Sequence, residues 1–325
     1  MKSIILLIGA GQLGSRHLQG LLRLKKKLNI FVLDPSEQSL EIARERANEI
    51  PNNHLINYLT DWNVLPQKFD LVIVATGANV REMVVTKLLA GYKVDHLILE
   101  KILFQKLEDY ERIESLIKRV GIKTWVNHPR RMLEPYKKIK NIISQTNEIA
   151  SFQVFGGNWG LACNGLHFID LCAYLSGSSI ETIDGNWIDA KIHESKRPNH
   201  IEFTGTLKGR LKDNSCFTIS SLDGNKEPIS ICISTKSNRW LIQEGPIIKI
   251  IHLAKDNDFE ADISSSNMLF QSVLTTNLIQ DILESGKCDL PTYNEACQTH
   301  VPFITTLLHK YNELLDLEVN ICPIT

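Results

Sequence analysis

The chain has 325 residues, more than one hydrophobic core usually serves, so two domains are expected. Hydrophobic residues make up 43% and charged residues 22%, with 36 basic against 37 acidic side chains, a balance that argues against a dedicated nucleic-acid binder. No apolar run approaches the roughly 18 residues of a membrane span, and seven cysteines without CxxC spacing suit a reducing, cytoplasmic setting rather than a disulfide framework.

Residues 4–8 are a continuous apolar run, as a parallel strand buried on both faces requires. They lead at once into glycines, which favours a strand over a signal peptide. A helix is expected from 13 to about 24, with apolar residues at 18, 21, 22 and 24. Residues 30–33 read as a second strand closed by Asp34-Pro35, and Ser36 as the N-cap of a helix through 47 with Glu37 in its first turn. Strands at 71–75 and 96–99 flank a helix over about 80–90; a helix at 107–120 and a strand at 123–126 follow. This alternation predicts an α/β fold, a doubly wound parallel sheet of the Rossmann type.

After Asn127 the pattern changes. A helix over about 135–145 precedes strands at 149–155, 200–207, 229–234 and 247–253, of which 229–234 alternates strictly. The signals Asp223-Gly224-Asn225 and Glu244-Gly245-Pro246 mark turns between strands, and helices return over about 268–284 and 294–315. The expected organisation is a Rossmann domain over 1–126 and, over 127–325, an α+β domain with a mostly antiparallel sheet.

Gly9-Ala10-Gly11-Gln12-Leu13-Gly14 follows the first strand and opens the first helix. In that setting GxGxxG is a dinucleotide fingerprint: Gly9 makes the tight turn, Gly11 admits the pyrophosphate, and Gly14 brings helix and strand together at a helix N-terminus that favours anions. Asp34 lies 20 residues beyond Gly14. A carboxylate there accepts from the adenosine ribose hydroxyls and repels a 2′-phosphate, so NAD is expected over NADP, with Arg16 nearby as the feature that speaks for NADP.

Five segments in order resemble the glucose-fructose oxidoreductase and inositol dehydrogenase family, the Gfo/Idh/MocA family. They are Gly11-Gln12-Leu13-Gly14-Ser15-Arg16-His17, Ala75-Thr76-Gly77-Ala78-Asn79-Val80-Arg81, Glu100-Lys101, Asn127-His128-Pro129-Arg130, and Cys163-Asn164-Gly165-Leu166-His167-Phe168-Ile169-Asp170. The resemblance implies that the large open sheet of the second domain, 127–325, binds substrate and mediates oligomerisation, and it implies hydride transfer between a sugar-like alcohol carbon and nicotinamide. It places Ala75, Thr76, Asn79 and Glu100 with the glycine turn and Asp34 around the cofactor. Lys101 is implied to stabilise the developing alkoxide, His167 to accept the proton, and Asp170, one turn on, to orient the ring or bind substrate. Asn127, Arg130, Trp159, Cys163 and Asn164 join Lys101 and His167 around the substrate.

Two departures stand out. The family's Glu-Lys-Pro is Glu100-Lys101-Ile102, and the aspartate that often opens the last segment is Cys163. A thiol is a poor stand-in for a carboxylate. Zinc on Cys163, His167 and Asp170 has the right chemistry but lacks a second ligand cluster, so no metal is expected. The leading expectation is an NAD(H)-dependent sugar or sugar-nucleotide dehydrogenase serving surface polysaccharide or unusual sugar synthesis, and a homodimer or homotetramer. Its alternative is an NAD-binding sensor or partner protein without turnover, and a reductase acting on an imine or bilin stays open.

Overall fold

The computed structural model describes residues 2–224 and 227–325. Asn225, which ends the first expected turn, lies outside them. The N-terminal part runs β1 (Ser3–Ile8), α1 (Gln12–Leu22), β2 (Leu28–Leu33), α2 (Glu37–Asn48), β3 (Leu55–Leu59), β4 (Lys68–Phe69), β5 (Leu71–Val74), α3 (Ala78–Gly91), β6 (Lys93–Val94), β7 (His96–Leu99), α4 (Leu107–Val120) and β8 (Lys123–Val126). Six of these strands form a sheet in the order β3-β2-β1-β5-β7-β8, parallel throughout. The order reverses at β1, which puts the ends of β1, β2 and β5 around one crevice, the usual ligand position in open α/β sheets. β1 and β5 are almost entirely buried, which explains their unbroken apolar runs. Ser36 caps α2 as expected, its hydroxyl accepting from the Ser39 N–H at 3.2 Å.

The remainder runs α5 (Glu134–Thr146), β9 (Ser151–Gly157), α6 (Leu161–Ser176), β10 (Ile180–Glu194), β11 (Ile201–Leu211), β12 (Cys216–Leu222), β13 (Ile229–Ser234), β14 (Asn238–Glu244), β15 (Ile247–Ala254), β16 (Ala261–Asn267), α7 (Gln271–Ser285) and α8 (Tyr293–Leu315). Its eight-stranded sheet has the order β10-β11-β12-β9-β13-β14-β15-β16, antiparallel except for the β12–β9 pair. One face is buried by alternate side chains such as Phe152, Val154, Ile231, Ile233, Trp240 and Ile242; the opposite face carries Phe155, Leu241 and Ile263, each at least 40% exposed. The α/β fold class, with a parallel N-terminal sheet and a large, mostly antiparallel second one, is as the sequence predicts; β4 and β6 pair separately as a two-stranded parallel sheet.

Compact unit 1 comprises Met1–Phe104, Glu108–Pro129 and Leu269–Asn294; unit 2 comprises Gln105–Leu107, Arg130–Met268 and Glu295–Thr325. The expected division at 126/127 thus gains a feature that periodicity does not carry, the return of α7 to the Rossmann unit. Seven strands also go beyond the sequence reading: β3, the two-residue β4 and β6, β10, β12, β14 and β16. β10 has two register shifts within 184–192 and β16 is exposed along almost its whole length, so neither shows the alternation by which a half-buried strand is recognised. Among the described residues, no helix is long and apolar enough to cross a membrane.

Candidate functional site

In unit 1 the glycine turn has three distinct environments. Gly9 has φ +95°, and a Cβ there would stand 2.9 Å from the Ala75 carbonyl carbon. At Gly14 a Cβ would lie 1.8 Å from the Gly9 carbonyl oxygen, so α1 meets the end of β1 backbone to backbone. Above Gly11 there is nothing within 4 Å. Gly11 is also the N-cap of α1 and supplies no side-chain cap, so the helix opens onto free space with its first amide groups forward. That is the cradle a diphosphate needs. Gln12 and Leu13 form the first turn of α1, and Arg46 holds the Gln12 backbone carbonyl at 3.1 Å.

Asp34 closes one side of this turn. Its Oδ2 accepts from the Ala10 N–H at 2.7 Å and its Oδ1 from the Ser36 N–H at 2.9 Å. The carboxylate is therefore fixed against the glycine loop. On the far side, Ala75 and Thr76 leave β5; Asn79 is exposed in the first turn of α3, its Oδ1 against Gly77. The Thr76 hydroxyl is buried and has no partner among the described residues.

Glu100 and Asn127, at the ends of β7 and β8, sit in a closed ring of hydrogen bonds. His17 is fully buried and joins the Glu100 Oε1 through Nε2 and the Thr275 hydroxyl through Nδ1, each at 2.8 Å. Asn127 Nδ2 donates to Glu100 Oε1 at 2.6 Å and to Gln271 Oε1 at 3.1 Å, and Gln271 Nε2 donates to Thr275 at 3.1 Å. Burial presses the Glu100 carboxyl upward, but His17, Asn127 and Arg81 outweigh it and hold the group below the usual glutamate range. Glu100 is thus a buried, ionised hub. Lys101 follows it, half-buried, with a cis peptide to Ile102. The buried Arg81 binds the carbonyls of Thr76, Ile102 and Leu103, and so fixes the loops after β5 and β7.

In unit 2, α6 carries the last of the sequence segments. Within 161–170 the half-buried positions are Cys163, Asn164 and His167, one helix stripe. His167 lies in the body of α6. Trp159, Cys163 and Asn164 line a cavity of about 390 Å³ together with His193, Arg197, Glu202, Thr204 and Ser221. Glu202, absent from the sequence reading, accepts from the amides of Ala162, Cys163 and Phe203, and thereby puts a carboxylate beside Cys163. Ser221 is fully buried, and its hydroxyl has no partner among the described residues.

Three expected substrate or catalytic residues have other occupations. Asp170 is fully buried and takes two nitrogens of the Arg131 guanidinium at 2.6 and 2.8 Å, so its carboxylate is engaged by Arg131. Arg130 forms a fork with Glu244 at 2.8 and 3.1 Å and lies 4.2 Å over the Phe168 ring. Trp159 is 8% exposed, meets Phe168 edge-on and donates to the Ser220 carbonyl at 2.8 Å, so its ring is core packing and not an open stacking face.

Burial pushes the Glu244 carboxyl up, yet Arg130 and the Tyr136 hydroxyl, at 2.6 Å, hold it below the ordinary 4.5. A depressed carboxyl contributes stability above its unfolded value and loses it as pH falls through the folded one. Thermal melts from pH 6 to pH 3 should therefore show an acid-side decline beginning near 4.5, and Glu244→Gln, though less stable at neutral pH, should decline less steeply. Equal slopes would remove this pair from the acid response.

Residues 4–128 match the family model described as "Oxidoreductase family, NAD-binding Rossmann fold", named GFO_IDH_MocA. This segment matches the Gfo/Idh/MocA model. It is an NAD-binding Rossmann fold, and its glycine cradle, its fixed carboxylate and the orphaned Thr76 hydroxyl fit that cofactor. Comparison with curated proteins gives no match. Among solved structures, an oxidoreductase from Agrobacterium radiobacter in complex with NAD+, L-tartaric acid and magnesium shares 15% identity at TM-score 0.73, covering 96% of this chain and 97% of that one. The scyllo-inositol dehydrogenase of Lactobacillus casei with NAD(H) and scyllo-inositol shares 14% at 0.68, over 96% and 98%. The transcriptional regulator Gal80p of Kluyveromyces lactis shares 15% at 0.70, over 99% and 95%. At these identities the likeness is one of fold.

Proposed function

We propose that the protein is an NAD(H)-dependent dehydrogenase of a sugar or sugar-nucleotide hydroxyl. The observation that carries the cofactor half is Asp34, whose carboxylate is fixed on the Ala10 amide beside the open cradle at Gly11. There it accepts ribose hydroxyls and repels a 2′-phosphate, so NADH should bind more tightly than NADPH. The substrate half is supported by the unit 2 cavity, whose amide, hydroxyl, imidazole and carboxylate groups suit a polyol. The solved dehydrogenase from Lactobacillus casei, by its description, holds scyllo-inositol.

When bound, NAD supplies the acceptor for a hydride. The chain's own work is at the substrate hydroxyl: His167 takes its proton, and the ammonium of Lys101 stabilises the alkoxide. The exposed apolar row Phe155, Leu241 and Ile263 supports self-association through the outer sheet face. Protein freed of nucleotide should change NADH absorbance with some member of a panel of polyols, sugars and nucleotide sugars. Lys101→Met and His167→Ala should each cost at least about 100-fold in turnover; wild-type rates in both would overturn the mechanism.

A second reading is favoured by Cys163, which stands where the family pattern has an aspartate, and by the Glu202 carboxylate on the Cys163 amide. It makes the chain an NAD-binding sensor without turnover, and a protein that binds NADH yet stays inert across the whole panel would establish it.

A further inference from the structure

We infer that Asn127 reads the carboxamide of the nicotinamide ring, with Gln271 and Thr275 on α7 as its positioning residues. The inference rests on the NAD reading above, and it moves Asn127 from the substrate to the cofactor. Asn127 directly follows β8, at the carboxyl edge of the parallel sheet where ligands of such sheets lie. Its Nδ2 sits between two acceptors, Glu100 Oε1 at 2.6 Å and Gln271 Oε1 at 3.1 Å. An ionised carboxylate has no proton to give, so the amide cannot be turned round without setting Oδ1 against it. Gln271 is fixed in its turn by donating to Thr275, which meets the buried His17. Every member of the ring therefore supports one orientation of Asn127.

That orientation leaves Asn127 Oδ1 as an acceptor, and it is buried with no hydrogen-bond partner among the described residues. A buried amide oxygen needs a donor. At its nicotinamide end NAD brings N–H donors in one group, the ring carboxamide. An acid at the same ring position would bring negative charge towards the Asn127 oxygen and the Glu100 carboxylate.

The test is a set of titrations on the full chain, stripped of nucleotide. The ligands are NADH, its reduced 3-acetylpyridine analogue (a methyl replaces the amide nitrogen), reduced nicotinic acid adenine dinucleotide, and ADP-ribose. ADP-ribose should bind, and both ring analogues should bind about tenfold or more weakly than NADH. In Asn127→Leu the gap between NADH and the acetylpyridine analogue should close to within about threefold. Gln271→Met should narrow it as well, which a merely structural α7 would not do, since general loosening weakens both ligands alike. Equal affinity for NADH and both analogues in the wild type, with ADP-ribose still bound, would overturn the carboxamide assignment and leave the NAD reading standing. Failure of ADP-ribose and NADH alike would overturn the NAD reading and the assignment together.

Discussion

Gly11→Val should fold as the wild type does and lose NADH affinity by about ten- to a hundredfold, whereas Gly14→Ala should lose about 3 kcal/mol or more of stability. The two positions are three residues apart and look alike in the sequence, but they differ in what surrounds them. At Gly11 a side chain enters open space, with φ −61° and ψ −163°, a backbone that any residue adopts. Only a ligand would meet it. At Gly14 the added carbon would fall 1.8 Å from one backbone atom of Gly9 and 2.8 Å from another, and neither can rotate away. α1 would have to lift from β1. Thermal melts alongside NADH titrations separate the two effects. A Gly11→Val protein that kept its affinity would show that the space above Gly11 is not where the diphosphate lies.

The contrast also shows which parts of the site were open to sequence reading. The glycine turn and Asp34 are legible because their relations are local: Ala10 reaches Asp34 across 24 residues, and strand, turn and helix follow one another. Ser36 announces α2 in the same way. The ring around Glu100 has no local signal. Its closure needs Thr275 against His17, 258 residues apart, and Gln271 against Asn127, 144 apart. His17 and Arg81 do stand in the segments that resemble the family, but a buried histidine and a buried arginine look no different there from exposed ones. In unit 2 the carboxylate beside Cys163 comes from Glu202 on β11, a strand whose neighbour β10 is too irregular in its alternation to show itself.

Asp170→Ala should be among the most damaging single changes in unit 2, at about 3–5 kcal/mol, because it leaves the Arg131 guanidinium buried without its counter-charge. The pair is bidentate, Asp170 is wholly inaccessible and Arg131 only 8% exposed, so little water could replace the lost partner. The melting midpoint should fall on the order of 10 °C. The double variant Asp170→Leu/Arg131→Met should recover most of the loss, since removing both charges also removes the cost of desolvating them. That recovery makes the double variant the decisive sample for function as well. If Asp170 serves only to anchor α6 to Arg131, the stable double variant keeps its turnover and His167 acts without it. If it folds but is inactive, Asp170 takes part in the chemistry despite its burial, and the anchoring role given to it by the geometry is incomplete.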